Sequence, residues 1–229
     1  MIADPTTQLG KRESIRIFKN GLMEKLTFVH PSVPLIIYIP IVILCLNLWD
    51  FGNHRSAIIG LLLTGAGLIS WLITEYVLHR TILHWEPKSR LGKRLHFIFH
   101  GVHHDDPQDG WRLVMPPSAS IPLCILFFSL FGWLLGTPTV YPFFAGFVGG
   151  YLIYDMIHYA VHHFPLRGKV GRYLKIHHMS HHFRDDERAY GVSSPLFDLI
   201  FGTMPTKRTE PNQATMNSGP SMISNSSVS

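Results

Sequence analysis

Charge is scarce in this chain. Charged residues fill 15% of its 229 positions and apolar residues 46%, with a mean hydropathy of +0.16. A soluble domain devotes about a quarter of its residues to charge, so an ordinary water-facing surface is excluded. Cysteine is nearly absent too. Cys45 and Cys124 both lie inside apolar blocks with no CxxC spacing, which excludes a disulfide framework and a thiolate metal knuckle. No His-Glu dipeptide occurs, so the HExxH helix of a membrane zinc protease is ruled out. A His-Pro-Gly-Gly heme segment is also missing. The first apolar block starts after residue 33 without a small-residue cleavage pattern, so it is read as retained.

What the chain has instead is four apolar blocks, at 34–49, 57–78, 119–136 and 138–157. A helix needs about 20 residues to cross a bilayer, and each block comes close to that. A chain of this length could not wrap four such helices in polar surface, so a soluble bundle is set aside. The fold expected is all-α: an integral membrane protein with four transmembrane helices and a cytoplasmic helical cap. Of the 20 Lys and Arg residues, five precede the first block, six fall within 79–118 and eight follow residue 157, leaving only Arg55 in the other connections. The positive-inside rule then puts both termini and the middle segment on the cytoplasmic side. The net charge of +5 is explained by lipid headgroups and requires no nucleic acid.

Three regions follow. Residues 1–33 form an N-terminal cytoplasmic or interfacial segment, in which Ile15, Phe18, Leu22 and Leu26 recur at helical spacing between Lys11 and Phe28. Residues 34–208 form the membrane-embedded domain. Residues 209–229, rich in Ser, Asn and Met, read as a disordered tail. The turns at 50–56 and 136–139 are too short to hold a site.

The histidines lie elsewhere. Of the 15, only His30 and His54 stand alone; the others fall in "HRTILH" (His79, His84), "HFIFHGVHH" (His96, His100, His103, His104), "HYAVHH" (His158, His162, His163) and "HHMSHH" (His177, His178, His181, His182). Positions i, i+3 and i+4 share a helix face, so His100, His103 and His104 are expected to point at one place, as are His178, His181 and His182. His158 and His162 form an i, i+4 pair. His79 and His84 are five apart, a spacing that fits a helix end opening into the turn before Pro87 better than a continuous helix.

Groups of this kind at the ends of apolar helices point to metal. A transporter would place its ligands near the bilayer midplane, and these lie past the block ends. An oxygenase needs a redox metal at the membrane surface and an apolar route for a lipid chain, and the layout supplies both. About eight to ten imidazoles suit two ions rather than one. Zinc cannot handle oxygen and electrons, so two irons are the functional expectation, with O2 as cosubstrate and zinc a possible occupant of purified protein. Ligating imidazoles pass their second N–H to a carboxylate or carbonyl, for which Asp105, Asp106, Asp109, Asp155, Asp185, Asp186, Glu187 and Glu75 are candidates.

The stretches "EYVLHRTILHW", "HFIFHGVHHDDPQDGWRLVMPP", "YDMIHYAVHH" and "GVSSPLFDLIFGT" resemble the membrane-bound fatty acid hydroxylase and sterol desaturase superfamily, in particular its fatty acid 2-hydroxylases (sphingolipid alpha-hydroxylases), over roughly residues 70 to 205. The resemblance implies ten ligands of a dinuclear centre: His79, His84, His100, His103, His104, His158, His162, His178, His181 and His182. It makes His96, His163 and His177 their neighbours. It also implies hydroxylation at C2 of a fatty acyl chain, free or amide-linked in a ceramide-like lipid, with sterol or carotenoid hydroxylation and lipid desaturation as the alternatives. The chain looks like a stand-alone catalytic type, served by a separate cytochrome b5-like donor or a ferredoxin and reductase. The membrane would be that of the endoplasmic reticulum in a eukaryote and the cytoplasmic membrane in a bacterium; "ISNSSVS" lacks C-terminal retrieval lysines. Arg112 is a candidate for holding the lipid headgroup by a bidentate clamp or for organising its own loop.

The uneven spread of basic residues gives a topology test. Single cysteines introduced as His54→Cys and Asp106→Cys are expected to react with an impermeant thiol reagent from opposite sides of a sealed vesicle; reaction of both from one side would sink the four-span arrangement.

Overall fold

The computed structural model describes residues 14–50 and 56–206, and among them every regular element is helical. A short α1 (Gly21–Lys25) leads into two long helices, α2 (Ser32–Asp50) and α3 (Ala57–Leu78), the second continuing into a π-helical turn, π1 (His79–Leu83). Next come α4 (Arg90–His96), a second π turn, π2 (Phe97–Gly101), and α5 (Val102–Asp105). Two more long helices, α6 (Pro117–Leu135) and α7 (Val140–His163), precede α8 (Lys169–Phe183) and the short α9 (Leu196–Phe201). Among the described residues, four helices are thus long and apolar enough to span a bilayer, and each covers all or most of one apolar block. The protein is an all-α membrane protein.

Only α1 is helical between residues 14 and 28, because side chains there compete for the backbone. Asn20 accepts from the N–H groups of Leu22 and Met23 and starts the helix, while the Glu24 carboxylate reaches back to the N–H groups of Ile17 and Phe18. The expectations for residues 11–13, for the connection at 51–55 and for the tail at 209–229 lie outside the described residues.

The spans are not equivalent. In α7, 61% of the apolar window is buried inside the protein, against 17% in α2, 17% in α3 and 11% in α6, so α7 is the axis and the others wrap it. Their outward side chains, among them Leu61, Leu62, Ile125 and Trp133, are exposed and form the face that hydrocarbon covers. Between lipid-solvated helices, apolar burial contributes little and close backbone approach decides the packing. Gly67 of α3 and Gly146 of α7 supply it. A Cβ added at Gly67 would lie 1.8 Å from the Phe143 carbonyl oxygen, and one at Gly146 would lie 1.9 Å from that of Thr64. Trp71 then stands edge-on to Phe147 and Tyr151, with ring centroids 5.3 Å apart in both pairs. Tyr38 ties α2 and α6 to this core: its ring meets Tyr151 at 90° and its hydroxyl donates to Ser120 Oγ at 2.7 Å. Helices α3 and α7 are therefore locked side by side, and the histidines at their ends inherit that alignment.

This packing predicts that Gly146→Val will lower unfolding stability by about 1–3 kcal/mol, read as a fall in thermal midpoint in detergent. Gly149→Val, on the same helix but with nothing within 4 Å of the added carbon, is expected to change it little.

Candidate metal centre

Helix α3 loosens as it leaves the apolar layer. In π1 the His84 N–H bonds the His79 carbonyl five residues back, at 3.2 Å. A π turn is wider than an α turn and suits functional sites for that reason. Here it puts residues five apart on one face, with the two imidazole centroids 5.0 Å apart. The helix does not open at His79 as its spacing led us to expect; it widens.

The thirteen clustered histidines come from π1 and the residue after it, α4, π2, α5, α7 and α8, and ten of them converge as two groups of five, each able to hold a metal ion. One group is His79, His84, His100, His104 and His181; the other is His103, His158, His162, His178 and His182. The expectation that each HxxHH triplet points at one place is corrected. Successive residues turn by about 100°, so i and i+4 stay within about 40° while i+3 swings to the far side of i. His100 and His104 therefore join one group and His103 the other. On α8, His178 and His182 stay together and His181 crosses over. The two triplets thus form a shared wall, where the rings of His104 and His182 come within 4.4 Å of each other.

Within each group the Nε2 atoms face one another. His100 Nε2 lies 3.3, 3.1 and 3.0 Å from those of His79, His84 and His104. In the second group the distances are 3.0 Å for His158 to His103, 3.1 Å for His103 to His182, 3.1 Å for His182 to His178 and 2.9 Å for His162 to His178. Burial, reinforced by the neighbouring imidazoles, holds His84 down to about 3 and His104 to about 4. The same causes lower His100, His103, His178 and His182. The rings are neutral at pH 7, the form that ligates.

Two contacts settle which nitrogen carries the proton. His79 Nδ1 donates to the Tyr190 carbonyl at 2.5 Å, and His181 Nδ1 donates to the Arg188 carbonyl at 2.6 Å. Each bond leaves a bare lone pair on Nε2, and that of His181 is buried with no other partner. Lone pairs facing at 3 Å repel one another unless a cation lies between them. Metal–imidazole bonds of about 2.1 Å meeting at right angles would separate their nitrogens by about 3.0 Å, so the donor set fits a metal ion in each group.

The segment between these two carbonyls is strained. Ala189 is fully buried with φ 59°, a left-handed conformation that costs a residue with a side chain about 1 kcal/mol. It aims the flanking 188 and 190 carbonyls at the same group. Asp198 fixes the turn, accepting from the N–H groups of Tyr190 and Gly191, from the Thr203 hydroxyl and from His177 Nε2, at 2.8–2.9 Å. Glu75, one turn below His79, accepts from the N–H groups of Val192 and Ser193 and holds the loop from the membrane side. Asp198 was absent from the sequence candidates; its one signal is that it is the only acid between Glu187 and Glu210. The backbone carbonyls leave no mark in a sequence.

The other candidates settle differently. His177 contacts Asp198 and belongs to neither group; His163 is half-buried beside Tyr159; His96 is half-buried near His84 and His104. Asp155 is buried in α7, one turn before His158. Asp105 is exposed and Asp106 half-buried. Asp109 and Asp185, expected beside imidazoles, bind loops instead: Asp109 takes the Ser14 hydroxyl and the Trp111 N–H, and Asp185 takes the Glu187 N–H and pairs with Arg188 at 3.3 Å. Arg112 is engaged within the protein. It is buried, bonds the Ile15 carbonyl and the Glu24 carboxylate, and lies over the Phe28 ring at 4.4 Å.

Within the bundle lies an apolar cavity of about 50 Å³, lined by Tyr38, Trp71, Met115, Phe127, Tyr151 and Leu78, the residue before His79. Buried and half-buried neutral histidines in two groups that could hold metal ions, on a bundle of four candidate spans, define the class as a histidine-rich membrane protein. The family model "Fatty acid hydroxylase" matches residues 64–203. The "Dihydroceramide fatty acyl 2-hydroxylase FAH1" of Arabidopsis thaliana is 36% identical over 203 residues, which is 87% of this chain and 84% of that protein. The "Ceramide very long chain fatty acid hydroxylase SCS7" of Saccharomyces cerevisiae is 40% identical over 140 residues, 60% of this chain and 36% of that one. Among solved structures, "Full length scs7p (only hydroxylase domain visible)" superposes with a TM-score of 0.78 at 34% identity, covering 85% of this chain and 73% of that chain. The chain belongs to the fatty acid hydroxylase family and is a hydroxylating enzyme.

Asp198→Ala would leave four donors without their acceptor. It is expected to lower stability by at least about 3 kcal/mol, seen as a drop in thermal midpoint, and to speed amide exchange at residues 189–191. Asp198→Asn, which keeps one acceptor oxygen, should lose less.

Proposed function

We propose that this enzyme uses O2 to hydroxylate C2 of a fatty acyl chain, free or amide-linked in a ceramide-like lipid, with five histidines holding each of two metal ions. The observation that carries this reading is that two histidine groups able to hold metal ions stand at the ends of apolar helices whose bundle encloses an apolar cavity, lined in part by Leu78, the residue before His79. A soluble oxygenase site would have no use for a route that only lipid can take. The relatives named as 2-hydroxylases support the same carbon. Iron is the functional metal, because attack on an unactivated C–H bond needs redox chemistry that zinc lacks; zinc would bind the same imidazoles in purified protein.

The chain's own residues do the rest. The cavity walls take the alkyl chain and exclude water, while the Tyr190 and Arg188 carbonyls keep His79 and His181 in the ligating tautomer. Electrons come from a separate carrier, and the histidine-bearing face is cytoplasmic. Exposed Lys93, Arg94, Lys169 and Arg172 present positive charge there to an acidic carrier. Lys175, on the same helix as Lys169 and Arg172, is half-buried and donates to the Phe164 carbonyl.

Expression in a host lacking 2-hydroxy lipids is expected to produce 2-hydroxy acyl chains. His103→Ala and His162→Ala, one ligand from each helix wall of the second group, should lower product at least about a hundredfold and reduce bound metal. His30→Ala, whose exposed ring meets Ser32 and Trp111 and belongs to neither histidine group, should leave both unchanged. Mass spectrometry of the lipids decides; desaturated or sterol products alone would overturn the reading.

A further inference from the structure

The outward face of α9 is apolar and uncovered. Leu196, Leu199, Ile200 and Phe201, four of its six residues, are 48–69% exposed, while its one charged residue, Asp198, is turned inward and fully buried. A helix with water on its outer side would carry polar residues there. Helix α9 also sits too low for water. The Phe201 ring stacks on Tyr76 of α3, with centroids 5.3 Å apart and planes at 14°, and the Tyr76 hydroxyl shares a hydrogen bond with Thr203, just past the helix. Tyr76 lies inside the apolar stretch 57–83, about 10 Å short of its end. Ile73 and Val77 beside Tyr76, and Ile82 and Trp85 beyond it, are exposed as well. The face of α9 thus continues the face that hydrocarbon covers on α3.

Backbone at that depth must be satisfied from within the protein, because acyl chains offer no hydrogen bonds. The segment leading into α9 meets this demand without being a helix. From Ala189 to Ser193 every N–H has an acceptor at 2.7–2.9 Å: in order, the Thr203 carbonyl, the two oxygens of Asp198, and Glu75 Oε1 twice. Past the helix, Gly202 with φ 71° turns the Thr203 N–H back to the Asp198 carbonyl. We propose that α9 is a membrane element that does not cross: it lies in the leaflet on the histidine side, with Leu196, Leu199, Ile200 and Phe201 among the acyl chains. Helices of this kind sink about 5–10 Å below the headgroups, the depth that contact with Tyr76 sets here. Arg80, exposed and bonded to the Tyr76 hydroxyl, stands one turn nearer the boundary, where its guanidinium reaches headgroup phosphate. The consequence extends to the histidines. Asp198, on the inner side of α9, holds the turn whose carbonyls orient His79 and His181, so lipid that retains α9 retains that turn.

Nitroxide depth measurements on the full chain in phosphatidylcholine nanodiscs test this. Labels are placed singly through Leu199→Cys and Ile200→Cys in a Cys45→Ala, Cys124→Ala background. Leu61→Cys on the lipid face of α3 and Asp186→Cys on the exposed loop after α8 serve as references. Oxygen concentrates in hydrocarbon and a nickel chelate stays in water. Labels at 199 and 200 should therefore meet oxygen as often as the label at 61 does, and nickel at least about tenfold less often than the label at 186. Nickel collisions as frequent as at 186 would overturn the proposal. So would shielding from both reagents, the mark of a second protein chain over this face. Amide exchange reads the link to the histidines. Ile200→Asp would be harmless on a face that meets water; in acyl chains it should speed exchange at residues 189–191 at least about tenfold, with Ile200→Met leaving it unchanged. Equal exchange in the two variants overturns the proposal, and the depth readings stand as a test even where Ile200→Asp fails to fold.

Discussion

Imidazole nitrogens turned toward one another are what the rest of this molecule is built to hold. Two groups of five imidazoles converge with Nε2 separations of 2.9–3.3 Å where they adjoin. In His79 and His181 the Nδ1 bonds leave Nε2 as a bare acceptor, and such crowding of acceptors needs stiff surroundings or a cation to hold it. Burial keeps the rings from escaping it by protonation, as the depressed values of His84 and His104 show.

Stiffness comes from the membrane upward. Gly67 and Gly146 let α3 and α7 touch through their backbones, and histidines at the ends of both helices are carried into register by that contact. Glu75 and Asp198 then fasten the loop after α8 against α3 and α9. The loop in turn aims two carbonyls at His79 and His181, and the strained Ala189 between them shows how firmly it is held. Carboxylates that looked on paper like partners for imidazoles serve the backbone instead, and backbone oxygens serve the imidazoles.

The location of the centre follows from two opposed requirements. Its ligands are polar and come from elements at or beyond the span ends, whereas an alkyl chain can approach only through hydrocarbon. Carrying the histidine groups on the ends of helices that enclose an apolar cavity answers both. The π turns at His79–Leu83 and Phe97–Gly101 lie at this boundary, where a wider helix sends side chains inward that an α-helix would scatter around its circumference.

Periodicity and composition alone carried much of this. Four apolar blocks, a lopsided distribution of Lys and Arg, and histidines clustered beside those blocks were legible because hydropathy and helical spacing are properties of a linear pattern. So was the number of imidazoles. The division of labour among them was not. Sequence spacing places His100, His103 and His104 on one broad face, but whether that face looks into one site or straddles two depends on which helices stand opposite, and only packing decides that. The same holds for the five-residue gap between His79 and His84, which reads as a helix end until the backbone is seen to widen. Asp198 looks like an isolated acid in an apolar helix, and the carbonyls of Arg188 and Tyr190 carry no residue-type signature whatever. Side-chain chemistry is written in the sequence; the direction in which a backbone oxygen points is set by tertiary contacts.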